Sequence, residues 1–158
     1  MQISSRFSMA LHIFSCIGTY ENKMKITSDL LAFSVNVNPV IIRRLLQQFK
    51  AAGFITVQRG TGGLAMAKPV EEITLLDVYQ AVECIEDGEL FRFHENPNPE
   101  CMVGRNIHNI LDGRLQQVQQ AMEDELRSVT IADIVTDTRR CISEEKRAAS
   151  EKKKAIST

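Results

Sequence analysis

Residues 27–69, TSDLLAFSVNVNPVIIRRLLQQFKAAGFITVQRGTGGLAMAKP, pass from helical to strand-like patterning within one short stretch, and few folds accept that order. Its fixed point is Asn38-Pro39. Asparagine is a good helix N-cap, and proline at the first helical position gives up an N–H that has no partner there. From that start Ile42, Leu45, Leu46 and Phe49 recur at i, i+3, i+4 and i+7, which predicts an apolar back. Val40, Arg43, Arg44, Gln47 and Lys50 are left on the front, and Gly53 closes the helix. A shorter helix is predicted upstream at 27–32, with Ser28 and Asp29 as cap and first-turn acid and Leu30 and Leu31 as core contacts. A polar break at 34–38 separates the two. Downstream, a β-branched run at 54–57 meets Arg59-Gly60-Thr61-Gly62-Gly63 and then a second short strand. Two helices, a tight turn and a glycine hairpin in this order make a winged helix-turn-helix. The fold class is mainly α with a small β-hairpin, and the partner it names is double-stranded DNA.

The chemistry of the front agrees. Arginine forks onto guanine and glutamine onto adenine in a major groove. The net charge of −1 conceals a strong partition. Residues 1–70 hold eight Lys/Arg against two acids, Glu21 and Asp29, whereas residues 71–138 hold four against fifteen. Residues 139–158 return to seven against three. The basic segment coincides with the helix-turn-helix, as a phosphate-facing surface requires, and the acidic middle must face elsewhere.

The rest of the chain supplies a scaffold. A first helix is predicted at 5–17, with Phe7, Ala10, Leu11 and Phe14 inward and Gly18 as its stop, followed by a loop at 20–25. Thr74 and Asp77 have capping-box spacing and open a fourth helix ending near residue 83. Residues 86–102 lack periodicity and form a loop. A long helix at 103–128 carries Ile107, Leu111, Leu115, Val118, Met122 and Leu126 in a near-heptad stripe. Such a stripe is best buried against its own copy, giving a homodimer. One more capped helix is expected at 130–137, and the charged tail beyond it is either a helix extension or disordered. The chain thus divides into a DNA-binding domain with its connecting helix (1–83), a sensor loop (84–102), dimerisation helices (103–138) and a tail (139–158).

Four motifs, KAAGFITVQRGTGG, EEITLLDVYQAVE, NPNPECMVGRNI and SVTIADI, resemble in sequence and order the Rrf2 family of bacterial transcription regulators, the group of IscR, NsrR and CymR. The likeness covers roughly residues 3–138. It implies that residues 38–47 form the recognition helix, with Val40, Arg43, Arg44 and Gln47 meeting bases or backbone, and that the long helix joins two copies on a palindrome. It also implies a wing at 59–63 whose Arg59 enters a minor groove. Leu64 stands where an aromatic residue or a further glycine is common in the family, a departure in the wing.

Many family members hold an iron–sulfur cluster on three cysteines between the fourth helix and the dimer helix. Here that loop offers Cys101, with His94 nearby; Cys84 precedes the loop, and Cys16 and Cys141 lie in other elements. One thiol does not make a cluster site, so no cofactor or metal is expected. Cys101 precedes the long helix, where the helix dipole and Arg105 favour a thiolate, which makes it either a redox thiol or a tolerated exposed cysteine. Widely spaced cysteines without a CxxC pair, and no apolar run of membrane length, point to the cytoplasm. The N-terminal apolar stretch is broken by Arg6 and His12 and reads as a helix of the mature protein, not a signal peptide. No nucleophile, carboxylate pair or phosphate loop suggests an enzyme. The leading function is a sequence-specific regulator, with repression favoured and Cys101 oxidation as one tuning device. The alternatives are a winged helix that docks proteins without binding DNA, and a regulator answering a small ligand of unknown identity.

Overall fold

The structure, a computed structural model, describes residues 5–58, 63–82, 91 and 94–156, the last four by backbone alone. The described residues form α1 (Ser5–Tyr20), α2 (Ser28–Val35), α3 (Pro39–Ala51), β1 (Ile55–Val57), β2 (Leu64–Met66), α4 (Leu75–Val82), α5 (Ile107–Ser128) and α6 (Ile131–Ile156). Single 3₁₀ turns at Val70–Glu72 and Gly104–Asn106 precede α4 and α5. The mainly α architecture with one hairpin is the one the sequence predicts.

The core forms where α1, α3 and β1 meet. Ala10, Ile13, Phe14 and Ile17 of α1 are fully buried with Ile42, Leu45 and Phe49 of α3. The Phe14 ring packs on Phe49 at 4.5 Å between centroids and on Phe54 at 6.0 Å. Burying each such side chain contributes roughly 1.5–3 kcal/mol, so the three rings do much to fix how α3 sits on the body.

Gly18 overturns one expectation. It does not end α1, which runs on to Tyr20. Gly18 is buried where α6 crosses, and a Cβ there would lie 2.6 Å from Val135 Cγ2. The missing side chain lets α6 approach the α1 backbone, and the Arg139 guanidinium donates to the Gly18 carbonyl at 2.6 Å.

Helix α2 is capped by Thr27, whose hydroxyl accepts from the Leu30 N–H at 3.2 Å; Ser28, the expected cap, is the first helical residue. The helix also passes the break expected at 34 and ends at Asn36, which takes the left-handed conformation (φ 57) that asparagine tolerates. The turn into α3 is therefore tight. Asn38 Oδ1 accepts from the Val40 N–H at 2.9 Å, and Gly53 (φ 73) releases the chain into β1. The hairpin pairs Ile55 with Met66 and Val57 with Leu64. It is tied down by the Leu64 N–H donating to the Ile26 carbonyl (2.9 Å) and the Met66 N–H donating to the Glu21 carboxylate (2.7 Å).

The Thr74–Asp77 box forms as predicted: the carboxylate accepts from the Thr74 N–H (2.8 Å) and hydroxyl (2.7 Å), and the hydroxyl accepts from the Asp77 N–H (3.1 Å). Thr130 and Asp133 repeat the motif at the start of α6. The two boxes lie side by side. Thr74 and Thr130 form an antiparallel bridge, with Leu75 N–H to Val129 carbonyl at 2.9 Å and Ile131 N–H to Ile73 carbonyl at 2.8 Å. The helix expected at 130–137 continues to Ile156, so the described part of the tail is a helix extension.

Candidate nucleic-acid interface

Helix α3 presents two chemically opposite faces. Ile42, Leu45 and Phe49 are buried and Leu46 is half-buried, while Val40, Arg43, Arg44, Gln47 and Lys50 are exposed. Positions 40, 43, 44 and 47 share one outward stripe at helical spacing. Arg44 and Gln47 also line an open groove with Ser5, Arg6 and Met9 of α1. The stripe is bordered by the start of α2, where Ser28 is half-buried and Asp29 exposed. Asp29 makes an ion pair with Arg43 at 3.8 Å. Sequence reading missed this pair, since the two residues lie on different helices. Asn38 and Pro39 hold the end of the stripe in place, the Asn38 side chain acting as helix cap.

The base of the wing is fixed by the Gln58 N–H donating to the Gly63 carbonyl at 2.9 Å, and Gly63 faces Lys25 and Ile26. Arg59, Gly60, Thr61 and Gly62, the predicted wing tip, lie outside the described residues, as does Cys84.

The segment before α5 is built around Cys101. Its N–H donates to the Asn98 carbonyl at 3.2 Å, and Gly104 packs so closely on that carbonyl that a Cβ would collide with it. The Cys101 thiol is exposed. The backbone N–H of Gly104, then that of Val103, holds its pKa below the usual thiol value, against a smaller opposing effect of desolvation. The sequence expectation credited the dipole and Arg105. The cause is instead this local pair of amides, and Arg105 contributes a backbone hydrogen bond to the Cys101 carbonyl (3.0 Å). His94 stacks on His108 at 6.1 Å, and His108 Nδ1 lies 3.2 Å from Asp112 Oδ1. Among the described residues no three His, Cys, Asp or Glu side chains are grouped to hold a metal ion. An iron–sulfur cluster is usually held by four cysteine thiolates, and among the described residues this segment offers one.

The predicted seam lies along α5, none of whose residues is buried. Ile107, Leu111, Leu115, Met122 and Leu126 are half-buried, Val118 is 55% exposed, and Ile110, which the heptad reading passed over, is 50% exposed. Among the described residues no helix is long and apolar enough to cross a membrane.

A profile of the Rrf2 family, described as iron-dependent transcriptional regulators, matches residues 3–137. The chain belongs to the Rrf2 family. It is similar to YwnA of Bacillus subtilis, provisionally named an HTH-type transcriptional regulator, at 44% identity over 133 residues, covering 84% of this chain and 96% of YwnA. A solved structure provisionally described as a DNA-binding protein is 38% identical, with TM-score 0.64, covering 82% of this chain and 98% of that one. The oxidised form of CymR from Staphylococcus aureus shares the fold at 21% identity and TM-score 0.65, covering 85% and 96%. An Rrf2 member is a transcription regulator. In this Rrf2 chain α6 reaches Ile156, past the last residue that the family profile matches, 137.

Proposed function

We propose that this Rrf2 regulator binds a palindromic operator as a homodimer and represses transcription from it. The observation that carries the reading is the division of α3 into a buried apolar back and an exposed Arg43, Arg44 and Gln47 front. Val40, Arg43, Arg44 and Gln47 read base edges in the major groove. Ser28, Asn38 and Pro39 flank them beside the backbone, and the wing at 59–63 takes the adjacent minor groove through Arg59. Dimerisation is supported by α5, whose apolar stripe is at most half-buried among the described residues. A dimer seated on a promoter excludes polymerase, which makes repression the simplest consequence. The protein would act in the cytoplasm.

The test is a mobility-shift titration on a duplex that the wild-type protein has enriched from a random pool. Arg43→Ala and Arg59→Ala should each weaken binding by about tenfold or more, the loss of one base or groove contact of ~1–3 kcal/mol, while the dimer stays intact. Both variants binding like wild type would remove the interface from this surface. Equal, weak binding to every duplex would favour a protein-docking winged helix instead.

The signal proposed is oxidation of Cys101, without a cluster, supported by the exposed thiol and its two amide donors. Mild peroxide should lower operator binding of wild type and leave Cys101→Ser unaffected. Equal loss in both would clear Cys101 and favour a small-ligand effector. Iron analysis of protein purified without oxygen checks the cluster-free part.

A further inference from the structure

Asp29 is the one acid between residues 22 and 70, a stretch holding seven Lys/Arg. It sits in the first turn of α2, where the helix dipole stabilises an anion whatever else is nearby. Its carboxylate lies 3.8 Å from the Arg43 guanidinium, with side chains 79% and 60% exposed. An exposed pair at that separation adds little to folding. The dipole accounts for the acid, but the pair itself adds little to stability, and its effect falls on Arg43.

Resting on the DNA-binding reading above, we infer that Asp29 is a specificity-determining residue: it holds Arg43 away from the phosphate backbone and releases it only to a base edge. The argument is one of competition. Duplex DNA carries a negative charge about every 1.7 Å along its axis, so an unheld arginine finds a phosphate on any sequence. With Asp29 present, that contact must displace an intramolecular partner and bring a phosphate up to a carboxylate. Both effects weaken binding to random DNA. On the right site a two-pronged contact to guanine offsets the displacement, because its direction takes Arg43 to the groove floor. Discrimination then comes from a repulsive element as well as an attractive one.

The experiment compares wild type, Asp29→Asn and Arg43→Ala, and combines the two changes, on the enriched duplex and a random duplex across a salt series. Asparagine keeps the shape and turn preference of Asp29, and circular dichroism checks that α2 is retained. Asp29→Asn should bind random duplex about fivefold more tightly, with a log–log salt slope steeper by about 0.9, the mark of one more neutralised phosphate. Affinity for the enriched duplex should rise by less, so the ratio between the two falls. In the Arg43→Ala background the change in slope should vanish. An equal gain on both duplexes, or no change on either, overturns the inference while leaving wild-type selection of a site intact. A wild-type protein that selects no sequence overturns the DNA-binding reading, and this inference with it.

Discussion

At the scale of single residues, the positions that decide the structure are those where a side chain is missing or fully committed. Gly18→Ala should destabilise the fold by about 1–3 kcal/mol, because the new methyl meets Val135 and forces a shift in a packed contact. That outcome opposes helix propensity, which favours alanine by ~1 kcal/mol. Urea denaturation reads the sign, and Val135→Ala in the same chain should recover part of the loss by making room. Cys101 gives a second measurement. With its pKa below the ordinary thiol value, its alkylation should reach half-maximal rate at a lower pH than that of an unperturbed cysteine (about 8.5). Gly104→Ala should shift that midpoint upward by disrupting the turn that aims the amides. Asn38 and Pro39 were legible in the sequence because caps act on their own helix. Gly18 was not: the same letter marks a helix stop and a close crossing, and only its contact with distant Val135 separates the two.

At the scale of elements, the ends proved more informative than the middles. The α3 stripe, its cap and its closing glycine follow directly from periodicity. The Thr74 box was also legible, but its partnership with Thr130 joins residues far apart in sequence, which no local pattern encodes. The charge partition marks the segment proposed to face phosphate, yet it left the ionic partner of Arg43 hidden. The start of α6 makes a pH prediction. The Thr130 N–H, then the Thr130 hydroxyl, holds the Asp133 carboxyl below the usual aspartate value. A group lowered in the folded state adds stability that is full above its unfolded pKa, about 3.9, and is lost as pH falls from there through the lower folded value. Asp133→Asn should therefore reduce stability at neutral pH and flatten the acid limb of a melting-temperature profile. An unchanged acid limb would mean that the box is not formed in solution.

At the scale of the whole molecule, α5 is the element proposed to join two copies, and among the described residues none of its side chains is buried. A charge in its stripe, as in Leu115→Glu, should give a monomer by sedimentation and lose operator affinity steeply, while circular dichroism stays close to wild type. A dimer surviving that change would place the interface elsewhere. The fold class and the division of α3 into a buried and an exposed face could be inferred from residue order. The described tail helix could not, since a charged, weakly apolar segment suits either a solvated helix or no structure. The chain departs from the winged helix-turn-helix at α4 and comes back beside that same point at the end of α5. With 22 residues rising about 1.5 Å each, α5 is a rod of roughly 33 Å whose C-terminal end is tied beside the start of α4. In a pair joined along such rods, rod length acts as a ruler for the gap between half-sites, and one extra helical turn in α5 would reset the operator spacing the protein accepts.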